Sequence, residues 1–382
     1  MFRRKIFYLS GFDPRGARFY HQLFAEQAAR FNAIAGRAVE VGKREKQPQN
    51  GTSWAVRDDD ADAVTDYQFL GWDDLVRDHW VRSPAMLLAK TIIAYFNFVT
   101  QLDWHIVRRF PIGVRIAFFT PGVTLIVLPL LLGALCWLGA AALLGAGWGA
   151  AIALMLTTAA ITIILRRIRG LWLLRFVIFN DALARDRLSA ELHARSEYFT
   201  DLIAASLDED WDEILFVTHS NGSIMAIPVM ARLLAMRGGK LPDNFTFVTL
   251  GSCIGLIGNR RDSAHFHAAL ESVGQGDFRW VDIGSITDII CIANIDPCVS
   301  CKLPRRARLH QMSPRWFRYS NPATYAARKA DRHNTHFDYL RSLDRLSPLD
   351  YIGVSSGART IEGAIAEFHA DIDLDARQAP SS

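Results

Sequence analysis

Residues Asp212 to Val229 read DEILFVTHSNGSIMAIPV. A serine hydroxyl becomes a nucleophile when a base takes its proton and a strained turn lifts it clear of the chain. Here an apolar, strand-type run, Ile214 to Val217, leads into Thr218-His219-Ser220-Asn221-Gly222, and a helix-compatible segment, Ile224 to Leu234, follows. Strand, sharp turn with serine at its tip, then helix is the setting of a G-x-S-x-G nucleophile elbow. The residues two before and two after the serine need to be small, because the strand and helix backbones nearly touch there. Gly222 meets the second requirement. Thr218 stands where the first glycine usually is, small but a departure from the pattern. Ser220 is the candidate nucleophile, and the backbone N–H of Asn221 a candidate oxyanion donor.

Histidine is the usual base for such a serine, held in its tautomer by a buried carboxylate that lies just past the carboxyl end of a later strand. The strand-like Phe278 to Ile283 is followed by Gly284-Ser285-Ile286-Thr287-Asp288, and the apolar run Ile289 to Ile295 ends at Asp296-Pro297. Asp288 is the preferred acid. Asp296 is the alternative, although Asp-Pro also makes sense as a plain turn. Asp282 lies inside a strand and is less suited. His336, ahead of a short amphipathic segment, is the preferred base, and His333 the alternative. His219 is expected to point away from the chemistry, while His265, His267 and His310 read as surface residues. The second oxyanion donor is sought near the N-terminus. There Lys5 to Ser10 reads as a buried strand, Gly11 to Gly16 as a loop, and Ala17 to Ala35 as an amphipathic helix. The backbone N–H of Phe12 is the candidate, with Asp13-Pro14 also suited to capping the helix.

The elements around these residues follow from the same patterns. Ala38 to Lys43 and Thr52 to Arg57 read as a hairpin, Tyr67 to Trp80 as a helix, Leu183 to Leu207 as a long helix, and Phe245 to Leu250 as a strand. Gly251, Gly255 and Gly258 lack the G-x-G start of a dinucleotide fingerprint. Asp58 to Asp62 lacks the glycine and terminal Glu of an EF-hand loop and reads as a solvated turn. Among 382 residues there are 43 basic and 39 acidic side chains, a balance that argues against a nucleic-acid partner. Five cysteines, an odd number, do not suggest a disulfide framework. Cys298-Val299-Ser300-Cys301 has no second ligand pair at zinc spacing, so neither metal nor cofactor is expected.

Between Arg115 and Arg166 lie 50 residues without Asp, Glu, Lys, Arg or His. A bilayer core needs about 20 apolar residues per helix, so two spans and a turn fit. The spans are expected near Ile116 to Leu138, with a kink at Pro129, and near Gly149 to Leu165, joined by Gly145 to Gly149. Arg108, Arg109 and Arg115 on one flank and Arg166, Arg167 and Arg169 on the other place both ends in the cytoplasm by the positive-inside rule. Met86 to Val107, and with it Leu171 to Phe179, reads as an interfacial or lid helix. No secretory leader is expected, because Ile6 to Leu9 after the basic start is too short.

Taken together, the segments YLSGFDPRGARFYH, TDYQFLGWDDLVRDHW, VTHSNG, WVDIGSITD and HFDYL resemble the α/β-hydrolase superfamily of serine hydrolases, and more closely a group of bacterial membrane-anchored α/β-hydrolase-like proteins. The resemblance covers most of the chain outside the hairpin, which is typical of that group too. It implies a mostly parallel sheet flanked by helices with an inserted transmembrane hairpin, and a triad in the order Ser220, Asp288, His336. The implied division is 1–110 and 171–382 as the two parts of a hydrolase domain, with 111–170 as the hairpin. The resemblance supplies no substrate; with the hairpin and its basic flanks, the expected protein is a two-pass inner-membrane esterase or lipase facing the cytoplasm, and its place at the bilayer suggests a small-molecule or lipid ester. The alternatives are an acyltransferase or thioesterase using the same triad, or a non-catalytic scaffold of the same fold.

Overall fold

The computed structural model describes residues 1–187 and 190–378. By internal contacts the chain divides into two units: Met1–Asp78, Ser189–Gly258 and His265–Ser382 form the first, and His79–Leu188 with Asn259–Ala264 the second. The second unit thus takes in more than the hairpin.

In the first unit, among the described residues, nine strands form one sheet: β1 Phe2–Leu9, β2 Glu40–Val41, β3 Glu45–Lys46, β4 Thr52–Asp58, β5 Ala63–Phe69, β6 Glu213–His219, β7 Phe245–Leu250, β8 Arg279–Ile283 and β9 Arg308–Met312. Their order is β2-β4-β5-β1-β6-β7-β8-β9, with β3 on β4. From β5 across β1, β6, β7 and β8 to β9 every pairing is parallel, and the pairings of β2, β3 and β5 with β4 are antiparallel. β6 and β7 are buried at every residue, as expected of parallel strands covered on both faces. One face carries Tyr8, Leu215, Val217, Val248 and Val281 under the helices Gly16–Ala35, Tyr351–Ser356 and Ile361–Gln378. On the other, Phe216, Phe247 and Trp280 line up with ring centroids 5.5 and 5.3 Å apart. β1 has β5 on one side and β6 on the other, so the chain reverses its direction of travel across the sheet there. The crevice at the carboxyl ends of β1 and β6 is the topological switch point, where open α/β sheets place their sites.

Several expectations fail for identifiable reasons. Tyr67 to Trp80 is not one helix. Ala63–Phe69 is strand β5, and the helix is only Asp73–Asp78. The aromatics that line a helical face on paper serve the sheet, with Tyr67 stacked on Trp54 at 4.4 Å. Leu183 to Leu207 is divided between the helices Gly170–Ala184 and Ala190–Ser206. The run after Asp288 is a series of turns, and β9, unannounced by any apolar alternation, closes the sheet.

In the second unit, two helices are long and apolar enough to cross a membrane, Ile112–Leu144 and Ala146–Arg167. The first contains a π-helical turn, Val123–Val127. This fits the missing N–H of Pro129 and its clash with the carbonyl four residues earlier. The link between the helices is Gly145 alone, at φ 83° and ψ 160°, not the five-residue turn expected. Leu171 to Phe179 does not form an interfacial face. It belongs to Gly170–Ala184, which packs on Pro84–Gln101 and Ile112–Gly122 and buries Leu173, Leu174, Phe176, Val177 and Phe179. Its apolar side chains point all round the helix, the pattern of a buried helix.

At the amino ends of β1 and β6, Arg4 and Glu213 form a fully buried ion pair with Nε to Oε2 at 2.6 Å. Arg4 also donates to the carbonyls of Gly357 and Arg359, and Glu213 accepts from the N–H of Ile361. Removing one partner strands the other charge in the core. Glu213→Ala is expected to cost about 3–5 kcal/mol of folding stability, read as a lowered unfolding temperature in detergent, whereas a change under about 1 kcal/mol would contradict this role.

Candidate active site

Ser220 is the residue immediately after β6 and has φ 58°, in the left-handed region that a residue with a Cβ rarely adopts. The turn is held by Ser220 N–H donating to the Leu250 carbonyl at 2.9 Å and Ser223 N–H donating to the Ser220 carbonyl at 3.0 Å. A Cβ on Gly222 would stand 2.4 Å from the Leu9 carbonyl oxygen and 2.7 Å from that of Ser10, so the helix Gly222–Met236 meets the end of β1 backbone to backbone. Thr218 is buried, with Oγ1 3.3 Å from the Val248 carbonyl oxygen, and fits the strand without a glycine. Close approach to the serine is instead met by Gly11, where a Cβ would lie 2.8 Å from Ser220 Cβ. That role is invisible in the local motif, because Gly11 is more than two hundred residues away in the chain. Phe12 follows Gly11 and is buried, and Asn221 is the N-cap of the helix, where N–H groups are turned out of the helical ladder.

His336 and Asp288 are brought together: Nδ1 lies 2.7 Å from Oδ2, and both side chains are buried. Asp288 also accepts from Tyr339 OH at 3.1 Å and from the Ile290 N–H at 3.0 Å. Burial alone would raise the Asp288 carboxyl. The His336 ring and the Ile290 N–H outweigh it and hold the group below its ordinary value. A carboxylate on Nδ1 selects the tautomer with the proton there, leaving the Nε2 lone pair to act as a base. Nε2 is buried and has no hydrogen-bond partner among the described residues. Ser220 Oγ is not hydrogen-bonded to it and instead lies 4.0 Å from Cys253 Sγ. Burial pushes the Cys253 thiol up, so it stays protonated beside the serine.

His219 does not point away. Its ring faces that of His336 at a centroid separation of 4.7 Å, and Nε2 lies 2.8 Å from the His336 carbonyl oxygen, which makes Nε2 the donor. The alternation of β6 accounts for this, since His219 shares the face of Leu215 and Val217, on which His336 and Phe337 pack. Burial, and next the neighbouring His336, lower the His219 pKa from 6.5 to about 3. The side-chain amide of Asn221 is likewise buried without a partner among the described residues.

The alternative acid is engaged elsewhere. Asp296 caps the short helix Pro297–Ser300 and pairs with Arg305 at 2.5 Å. The side chain of His333 lies outside the described residues. Asp282 sits inside the sheet on Thr249 and Gln311, with burial pushing it up to about 6. Cys298 and Cys301 are free thiols whose burial raises both to about 12. No family model, no curated protein and no solved structure matches this chain.

The buried His219 carries a pH signature. Unfolded, it takes a proton near 6.5, and folded only near about 3, so between these values the unfolded chain binds more protons and stability falls as the pH drops. His219→Gln keeps a donor at the Nε2 position and removes the titration. Its unfolding temperature is expected to gain on that of the wild type as the pH is lowered from about 7 to about 4.5, and a gap that stays constant would show that His219 is not held neutral.

Proposed function

We propose that the chain is a membrane-anchored serine hydrolase of the esterase or lipase kind, built on an α/β-hydrolase arrangement. The observation that carries this reading is the buried Asp288–His336 pair beside a serine held in a left-handed turn at the switch point of the sheet. Ser220 Oγ attacks the carbonyl carbon of an ester while His336 Nε2 takes its proton. The oxyanion is met by the backbone N–H groups of Asn221 and Phe12. Collapse breaks the ester bond, and His336 returns the proton to the departing alkoxide. Water, deprotonated by the same nitrogen, then releases the acid and restores the serine. Alignment of Ser220 Oγ with Nε2 is completed with substrate, since catalytic hydrogen bonds commonly tighten only in the complex. Another acceptor in place of water makes the same triad an acyltransferase, and a thioester in place of the ester, with a thiolate leaving, makes it a thioesterase.

The anchor is the pair of apolar helices, whose basic flanks Arg108, Arg109, Arg115, Arg166, Arg167 and Arg169 favour the cytoplasmic side of an inner membrane. That location suits an acyl lipid or another apolar ester.

Labelling by a fluorophosphonate probe separates catalysis from a scaffold role. Wild-type protein is expected to label and Ser220→Ala not at all. Asp288→Asn is expected to slow labelling on the order of 10³-fold or more, and Asp296→Asn by less than about threefold. An unlabelled wild type would leave the scaffold reading, and the reverse ranking of the two aspartates would overturn the acid. Reporter fusions at Gly147 and at the C-terminus are expected on opposite sides of the membrane, and signals from one side would refute the hairpin.

A further inference from the structure

The two legs of the hairpin differ in length. Ile112–Leu144 has 33 residues and Ala146–Arg167 has 22. At about 1.5 Å per residue these are roughly 50 and 33 Å, against a hydrocarbon core of about 30 Å. Two contacts fix the register between them. A Cβ on Gly149 would stand 2.7 Å from Ala141 N, and one on Gly133 would lie 3.9 Å from Thr157 Oγ1. Each pair is equidistant from Gly145, so Arg167 is level with Val123, and Val123–Leu144 is the part of the first leg matched by the second. The start of the first leg, Ile112–Gly122, extends past Arg166 and Arg167 on the basic side.

The helix Pro84–Gln101 is packed on this extension. Tyr95 OH donates to the Phe118 carbonyl at 2.6 Å, Tyr95 fills the space that a side chain on Gly122 would take, and Phe98 lies 6.2 Å from Phe118 between ring centroids. Leu87, Thr91, Ala94, Tyr95 and Phe98 form its buried face. The opposite face exposes Met86, Ile92, Ile93, Phe96 and Val99, with Phe96 68% exposed. Phe96 is one residue from Tyr95 and so lies at the level of Phe118 to Gly122, just past the arginines. Trp104, stacked on Phe119 at 5.6 Å, adds an aromatic of the type that settles at a membrane surface. From residue 79 to 187 the chain holds eleven Arg and Lys against three Asp and no Glu.

We infer that the outer face of Pro84–Gln101 is a lipid-binding face, lying in the boundary between headgroups and acyl chains of the leaflet from which the hairpin starts, with anionic phospholipid as its partner. The apolar side chains enter the boundary, and the surrounding excess of cations meets the acidic headgroups. The inference rests on the hairpin being membrane-spanning. It does not depend on the chain being an enzyme.

The test is photocross-linking in the full chain. Phe96→p-benzoylphenylalanine and, separately, Leu135→p-benzoylphenylalanine are reconstituted in vesicles of phosphatidylethanolamine with phosphatidylglycerol, irradiated, and analysed by mass spectrometry. Leu135 is 66% exposed in the middle of the hairpin and reports on the span itself. Lipid adducts are expected at both positions, with the ratio of phosphatidylglycerol to phosphatidylethanolamine adducts at position 96 about fivefold that of the bilayer, the effect of one basic side chain. A lipid adduct at 135 with a protein adduct, or none, at 96 overturns this inference alone. No lipid adduct at 135 overturns the hairpin. Capture of the two lipids at 96 in the ratio of the bilayer overturns the anionic preference.

Discussion

The gap between the end of β1 and the turn after β6 is the constraint on which the rest of the first unit depends. Gly222 is pressed against the carbonyls of Leu9 and Ser10, and Gly11 against the Ser220 side chain. A methyl group at either position would force apart two strands that hydrogen-bond along their length. The left-handed backbone of Ser220 is sustained by that closeness, because strain at one residue persists only where its surroundings over-determine it. At the other end of the same two strands, the buried Arg4–Glu213 pair ties them to the carbonyls and N–H of the chain from Gly357 to Ile361. The strand pair that carries the serine is therefore clamped at both ends, by steric fit at one and by charge at the other.

Electrostatics in the site follow from burial combined with selective pairing. Asp288 is as buried as Asp282, yet one is held below the ordinary carboxylate range and the other is pushed up to about 6. The difference is the histidine. Among the described residues Asp282 accepts from Thr249 and Gln311 only, whereas Asp288 accepts from the His336 ring and from the Ile290 N–H. His219 completes the set. A second imidazole against His336 would be repulsive if both rings were charged. Burial keeps His219 neutral, and its proton is directed at the His336 carbonyl, where it fixes the backbone that carries the His336 ring.

The second unit presents a different kind of surface. Its long helices expose leucine, isoleucine and tryptophan along their length, with Leu130, Leu143, Trp148 and Leu154 each more than 70% exposed. Soluble surfaces rarely carry so continuous an apolar patch. Its polar residues are placed with economy. Arg260, almost wholly buried, is neutralised by Asp181 and Asp262, and Asn97 also donates to Asp181.

Much of this was legible from one dimension. Short runs rich in apolar and β-branched residues marked β6, β7 and β8, and their burial needs no register information. The uncharged stretch between Arg115 and Arg166 marked the pair of apolar helices by length alone. The turn at Ser220 could be read because a strand and a helix flank it within a dozen residues. What the sequence could not determine were relations that depend on distant neighbours. Tyr67 is in a strand because Trp54 lies across from it, not because of its own periodicity. Gly11 matters because of a serine far along the chain, and His219 turns inward because His336 packs on the same face of the sheet. Asp288 and Asp296 both follow apolar runs, and the pattern favours Asp288 only by its place after a strand. Tertiary structure gives one a histidine and the other an arginine and a helix cap. Local pattern settles which segments are buried, because burial is a property of composition. Which side chains meet is decided by the order of strands in the sheet, and that order is set by the whole chain at once.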